Sequence, residues 1–167
     1  MKKKIVKFLK NLFCLLVLLS LFACRTQQPI PEYGMNEPVE GEEWRVTVNL
    51  VENKGNEFER GGITIRTDKT GVSLLYMQVQ IENVNGAELG VGYLNNAEVR
   101  DNTGMTFHWW LAGMAPVVYY DFETQEGNPI FVTDPSAIVD YIFVVPEEAT
   151  TFDLLWMDLP AIRLTVE

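Results

Sequence analysis

Trp44-Arg45-Val46-Thr47-Val48-Asn49-Leu50 alternates apolar and polar side chains without a break. A period of two is that of an extended strand, whose successive side chains point to opposite faces, so this segment predicts a strand with one face buried and one wet. The same signature returns at Leu75, Met77, Val79 and Ile81 against Tyr76, Gln78, Gln80 and Glu82. It recurs at Ile63 and Ile65 against Thr64 and Arg66, and at Ile162, Leu164 and Val166 against Ala161, Arg163 and Thr165. Met105, Phe107, Trp109 and Leu111 are expected to share one face of another strand, and Ala137 to Val145 is apolar nearly throughout.

Turn chemistry separates these runs: Asn53-Lys54-Gly55-Asn56, Asn85-Gly86, Asp101-Asn102-Thr103-Gly104, Gly127-Asn128-Pro129 and Asp134-Pro135. About nine short strands result by this reading, with no long helix. Parallel pairing needs helical crossovers for which the chain has no room. The expected fold is therefore all-β, an antiparallel β-sandwich of two sheets packed face to face, with a closed barrel as the competing architecture. Burial of one face of each sheet accounts for a 47% hydrophobic content without any ligand.

A resemblance sharpens this expectation. The strand Leu74-Leu75-Tyr76-Met77-Gln78-Val79-Gln80-Ile81 ends in Glu82-Asn83, and Asp101-Asn102-Thr103-Gly104 leads to the aromatic Phe107. Phe143-Val144-Val145-Pro146 closes a late apolar strand, and Phe152-Asp153-Leu154-Leu155 follows as the next one. This order resembles the immunoglobulin-like domains found behind signal and linker segments in bacterial lipoproteins, which are similar to secreted immunoprotective antigens. The resemblance implies an immunoglobulin-like sandwich. It brings no catalytic residue, and Leu111 to Asp134 has no place on its pattern.

The amino terminus carries an address. Lys2, Lys3, Lys4, Lys7 and Lys10 form a basic region, and Leu12 to Phe22 is an apolar run of eleven residues interrupted only by Ser20. A membrane-spanning helix takes roughly 20 apolar residues, so the run reads as the core of a signal peptide. It ends in Leu21-Phe22-Ala23-Cys24, which resembles the lipobox of bacterial lipoproteins at Leu21, Ala23 and Cys24, with Phe22 bulkier than the side chain usual there. The resemblance implies cleavage before Cys24 and lipid on its sulfur, with more than one acyl chain for stable anchoring. Arg25 is not the aspartate that typically retains such proteins at an inner membrane, which implies the outer membrane in a Gram-negative host.

Residues 1–23 are thus expected to be a signal peptide, 24–42 a lipidated cysteine with a flexible tether, and 43–167 the folded domain. Three prolines and several acids between Arg25 and Glu42 suggest a coil reaching roughly 20 to 25 Å. Removing residues 1–23 leaves eight basic against 23 acidic residues, a charge of about −15. That balance excludes nucleic acid as a partner and favours cations or basic protein surfaces. Cys14 leaves with the signal peptide and Cys24 is capped by lipid, so no disulfide is expected within the mature chain.

The inventory for chemistry is thin. One histidine, His108, and two serines in the mature chain, Ser73 and Ser136, lack the context of a nucleophilic triad. One histidine and no free cysteine cannot supply a zinc site. Asp101, Asp121, Glu123, Asp134 and Asp140 could bring oxygen ligands to calcium from loops at one end of a sandwich, or could merely cap turns and meet solvent. No cofactor or metal is therefore expected. His108-Trp109-Trp110 and Tyr119-Tyr120-Asp121-Phe122 form the most distinctive local composition. Alternation puts Phe107 and Trp109 in the core, and leaves His108, Trp110 and Tyr120 as the expected exposed binding surface.

These observations point to a non-catalytic interaction or adhesion module. It is expected to be exported, held on a bacterial cell membrane or outer membrane through Cys24, and to recognise an envelope protein or glycan. A structural accessory domain without a ligand, a carboxylate-based glycan-acting enzyme and a calcium-binding domain are the alternatives.

Overall fold

The computed structural model describes residues 33–86, 96–114, 118–121, 135–157 and 159–166. Their elements are β1 (Val39–Glu40), β2 (Trp44–Asn53), β3 (Glu57–Arg60), β4 (Ile63–Arg66), β5 (Val72–Asn83), β6 (Ala97–Asp101), β7 (Thr106–Met114), β8 (Val118–Asp121), β9 (Ser136–Pro146), β10 (Thr151–Trp156) and β11 (Ile162–Thr165). Every strand pair is antiparallel, and no α-helix occurs among the described residues.

The main sheet runs β1-β2-β5-β9-β7-β6-β10-β11, with β8 also on β7, and it folds over at β7 into two layers. The C-terminal part of β7 pairs with β9 and its N-terminal part with β6, so one strand serves both layers. The larger layer is β1-β2-β5-β9-β7-β8 and the smaller is β7-β6-β10-β11. One apolar core lies between them. Val46, Val48, Leu75, Met77, Val79, Ile81, Val139, Tyr141 and Phe143 come from the larger layer, and Val99, Phe152, Leu154, Trp156, Ile162 and Leu164 from the smaller. The expected antiparallel β-sandwich is what the chain forms.

Tyr141 joins the layers through its ring, lying 6.4 Å from Trp156 in an edge-on arrangement, 6.3 Å from Trp109 and 6.1 Å from Phe143. Such tilted and edge-to-face contacts suit the ring quadrupoles and add to the area term.

The chain N-terminal to Trp44 departs from its expected role. The described residues from Tyr33 onward already take part in the folded unit. Tyr33 forms a parallel bridge with Ile162 at the edge of the smaller layer, the Asn36 amide donates to the Val48 carbonyl at 2.8 Å, and Val39 pairs with Val46 with no exposure. Residues 33–40 therefore run from the edge of one layer to the edge of the other and satisfy backbone groups that would otherwise stand open. Prolines and acids around them concealed this, because Val39 is one buried side chain in a polar setting and gives no period.

Two β-bulges break the expected alternation. Val48 faces Val79 but Leu50 faces Gln78, so Asn49 is an extra residue in β2. Trp109 faces Phe143 but Leu111 faces Ile142, so Trp110 is extra in β7. Each bulge shifts the side-chain parity of the rest of its strand. Leu50 and Leu111 are thereby turned away from the main core, and Val51 and Ala112 take their places in it. Leu111 does not share a face with Phe107 and Trp109, and Met105 precedes the strand at 58% exposure.

The side chains turned outward have a cover. β3 and β4 form a separate two-stranded hairpin whose Phe58 and Ile65 join Leu74, Tyr76, Ile142, Leu50, Trp110, Leu111 and Val144 in a second, smaller apolar cluster. Only Ile65 of β4 is buried, whereas Ile63 stays 44% exposed. β3 was not legible as a strand, because Glu57-Phe58-Glu59-Arg60 carries a single apolar side chain.

Candidate functional site

His108 and Trp110, expected on one exposed surface, lie on different ones. His108 points outward from the smaller layer, and its Nδ1 lies 3.2 Å from Glu98 Oε1, directly across from it on β6. Trp110, displaced by the bulge, is half-buried on the outer side of the larger layer against the second cluster. A strand that passes from one layer to the other carries its two ends to different surfaces. Tyr120 pairs with Ala112 in β8, and its side chain lies outside the described residues, as do Cys24, Glu123 and Asp134 and the side chain of Asp121.

Among the described residues no three His, Cys, Asp or Glu side chains converge in a way that could hold a metal ion. Asp101 Oδ1 accepts hydrogen bonds from the Thr103 hydroxyl at 2.7 Å, the Thr103 amide at 2.9 Å and the Met105 amide at 2.9 Å. It closes the β6–β7 turn. The Thr103 hydroxyl foremost, with the Met105, Thr103 and Gly104 amides, holds its carboxyl below the ordinary 3.8 against the opposing effect of burial.

Ser73 is 3% exposed at the start of β5, and its hydroxyl has no partner among the described residues. Ser73 shares the inward row of β5 with Leu75 and Met77, whereas His108 points outward from the smaller layer, so the two are not brought together. A cleft of about 560 Å³ opens beside Ser73, lined by turn residues that include Asn56, Asp68, Lys69 and Glu147.

Asp140 is the residue the sequence pattern misplaced. It is no loop ligand but stands in the middle of β9, 4% exposed, on the outer side of the larger layer. The Tyr76 hydroxyl donates to its Oδ1 at 2.8 Å, and the Gln78 amide donates to the same oxygen at 3.2 Å. Arg60 of the hairpin donates to Oδ2 from Nε at 3.1 Å and from Nη2 at 3.0 Å. A buried carboxylate is tolerated only with partners of this kind. The guanidinium also lies 5.5 Å from the Tyr76 ring centre, and Phe58 packs on that ring at 5.7 Å. Ile138, two residues before Asp140 and so on the same face, is 46% exposed. The outer face of the larger layer thus combines an ion pair, half-buried aromatic and aliphatic side chains and an open apolar end.

The smaller layer carries charges of its own. Asp153 on β10 stands between Arg100 of β6 and Arg163 of β11, with contacts of 3.2 and 2.8 Å. Desolvation pushes its carboxyl up, but the hydrogen bonds and charges of Arg163 and Arg100 outweigh this and hold it below the ordinary 3.8. A folded-state value below the unfolded one gives stability that is present above about pH 4 and is lost as pH falls through the folded value, because the unfolded chain then binds the more protons. Stability followed by urea denaturation is therefore expected to fall between pH 5 and about 2. Asp153→Asn should flatten that limb, and an unchanged slope would remove Asp153 from the account.

No family model and no curated protein matches the chain. Two solved structures share its fold. An uncharacterized β-sandwich protein from Clostridium difficile 630 is 14% identical, with 84% of this chain and 97% of that one covered and a TM-score of 0.51. A conserved hypothetical protein from Bacillus anthracis is 10% identical, with 79% and 96% covered and a TM-score of 0.51. At such identities the likeness concerns the β-sandwich alone.

Proposed function

We propose that the protein is a membrane-anchored module of the bacterial cell envelope, held by lipid on Cys24 and recognising an envelope protein or glycan without catalysing a reaction. The observation that carries this reading is Leu21-Phe22-Ala23-Cys24, placed where an eleven-residue apolar run ends behind five lysines. An immunoglobulin-like assignment of the sandwich goes with it, supported by two antiparallel layers in which β9 inserts between β5 and β7, far from both in sequence. Only eight residues, 25–32, lie between Cys24 and Tyr33, where the folded unit is already paired. Fully extended, they span about 30 Å, so the module stays close to the surface that holds it.

The recognition surface is assigned to the outer face of the larger layer around Ile138, Trp110 and Leu111 in place of the His108, Trp110 and Tyr120 set. Exposed apolar groups beside a polar rim are how such surfaces are built. The test compares the native chain with Cys24→Ala, each carrying a photoreactive residue at position 138. Intact mass and membrane fractionation should show the native chain cut before Cys24, acylated and membrane-bound, with the variant lacking the acyl mass. Illumination in cells should yield an adduct with an envelope component for the lipidated chain. An unmodified Cys24 would sink the anchor, and an anchored chain without an adduct would favour a spacer domain with no ligand.

A further inference from the structure

The β3–β4 hairpin is placed unlike any other pair of strands. It is hydrogen-bonded to itself, Glu57 with Arg66 through Arg60 with Ile63, and forms no ladder with the main sheet. A lone two-stranded hairpin is marginally stable in water. The side chains of Phe58 and Ile65 in the second cluster, and Arg60 on Asp140 and over the Tyr76 ring, hold it to the larger layer.

Its ends are built to turn. Gly55 precedes it with φ +67° and Gly71 follows it with φ +72°, both in the left-handed region that side chains rarely adopt. The stem is tied to β5 by the Lys54 amide on the Leu74 carbonyl at 2.9 Å and the Leu74 amide on the Gly55 carbonyl at 2.6 Å. Beyond that tie, residues 56–70 fold back on themselves, the Thr67 amide donating to the Asn56 carbonyl at 2.9 Å. Beneath the hairpin, Leu74, Tyr76 and Ile142 are 0%, 3% and 0% exposed, although they belong to the outer face of a sheet whose core is on the other side.

We infer that the hairpin is a strap that opens as a unit about Gly55 and Gly71 while the sandwich stays folded, and that the Arg60–Asp140 ion pair is its latch. Opening removes no main-sheet hydrogen bond and no residue of the main core. It uncovers Leu74, Tyr76 and Ile142, an apolar strip that the closed protein hides. Arg60 keeps 38% exposure of its side chain, so on release it is readily hydrated, whereas Asp140 becomes hydrated only when the strap lifts. The inference stands apart from the envelope reading, because it concerns motion within the domain wherever the domain resides.

Amide hydrogen exchange on the full chain tests it. Local openings exchange independently of global unfolding, so the cross-strand amides of β3 and β4 should exchange about 100-fold faster or more than those of β5 and β9. Arg60→Gln should speed the hairpin amides about tenfold further, with Arg60→Lys in between, and the amides of β5 and β9 by no more than the same factor, since the closed state loses the latch relative to both the open and the unfolded chain. Hairpin amides that share the slow rate of β5 and β9 would overturn the strap. A fast hairpin indifferent to Arg60→Gln would overturn the latch, and β5 and β9 accelerated with the hairpin unmoved would show that Arg60 keeps its partner while the strap is open.

Discussion

Asp140→Ala is expected to lower the unfolding free energy by about 3 kcal/mol and the melting temperature by roughly 10 °C. The carboxylate is the common acceptor of three side chains, and each is affected differently when it goes. Arg60 is partly exposed and turns to water, so its loss is modest. Tyr76 is 3% exposed, and its hydroxyl is left without its Asp140 acceptor, which costs about 1 to 3 kcal/mol. Gln78, half-buried, loses a hydrogen bond of 3.2 Å. Arg60→Gln should therefore cost less than half as much as Asp140→Ala, and the pair Arg60→Met with Asp140→Leu should recover only the part due to the ion pair, since the Tyr76 hydroxyl still lacks its Asp140 acceptor. Urea denaturation of the four proteins decides the matter. Equal effects of the two single variants would mean that the ion pair alone, and not the Tyr76 hydrogen bond, gives Asp140 its weight.

Asp140 also shows where sequence reading stops. It is the one charged residue in Ala137-Ile138-Val139-Asp140-Tyr141-Ile142-Phe143-Val144-Val145, and an acid at the centre of an apolar run is itself a signal of a buried, partnered group. The partner could not be found that way, because Arg60 is 80 residues distant in the chain and sits on a hairpin with no periodicity of its own. By contrast β2, the later half of β5 and β11 were legible because alternation is the direct imprint of one buried face, and β9 was legible as an apolar run because both of its faces are covered through its centre.

His108 and Trp110 were parted for another reason. Alternation assigns His108 and Trp110 to one side, and this holds only while every residue of β7 faces one partner. Phe143 opposes Trp109 and Ile142 opposes Leu111, so the bulge at Trp110 belongs to the pairing with β9 and not to β7 alone. No local pattern records it. The same is true of Asn49 and of residues 33–40, whose positions are fixed by a bulge and by the edges of two layers that meet only in the folded state.

Trp156→Ala should be the most damaging single change in the main core, costing about 4 kcal/mol and roughly 12 °C, with the urea m-value unchanged. Trp156 ends β10, is 1% exposed, and stands opposite Ala97, whose small side chain leaves room for the indole. Across the sandwich its ring meets Tyr141, which in turn meets Trp109 and Phe143, so truncation opens a cavity where aromatic side chains of both layers touch. A close-packed interior relaxes only partly into such a void. Trp156→Phe separates the two contributions. The indole nitrogen is buried and has no acceptor among the described residues, so phenylalanine removes an unpaired polar group while keeping much of the ring contact. Its cost should be about 1 kcal/mol, the smaller ring volume being offset by the relieved N–H. A Phe variant as unstable as the Ala variant would mean that the nitrogen is bonded after all, and an Ala variant within 1 kcal/mol of the native protein would mean that the two layers do not share the core described.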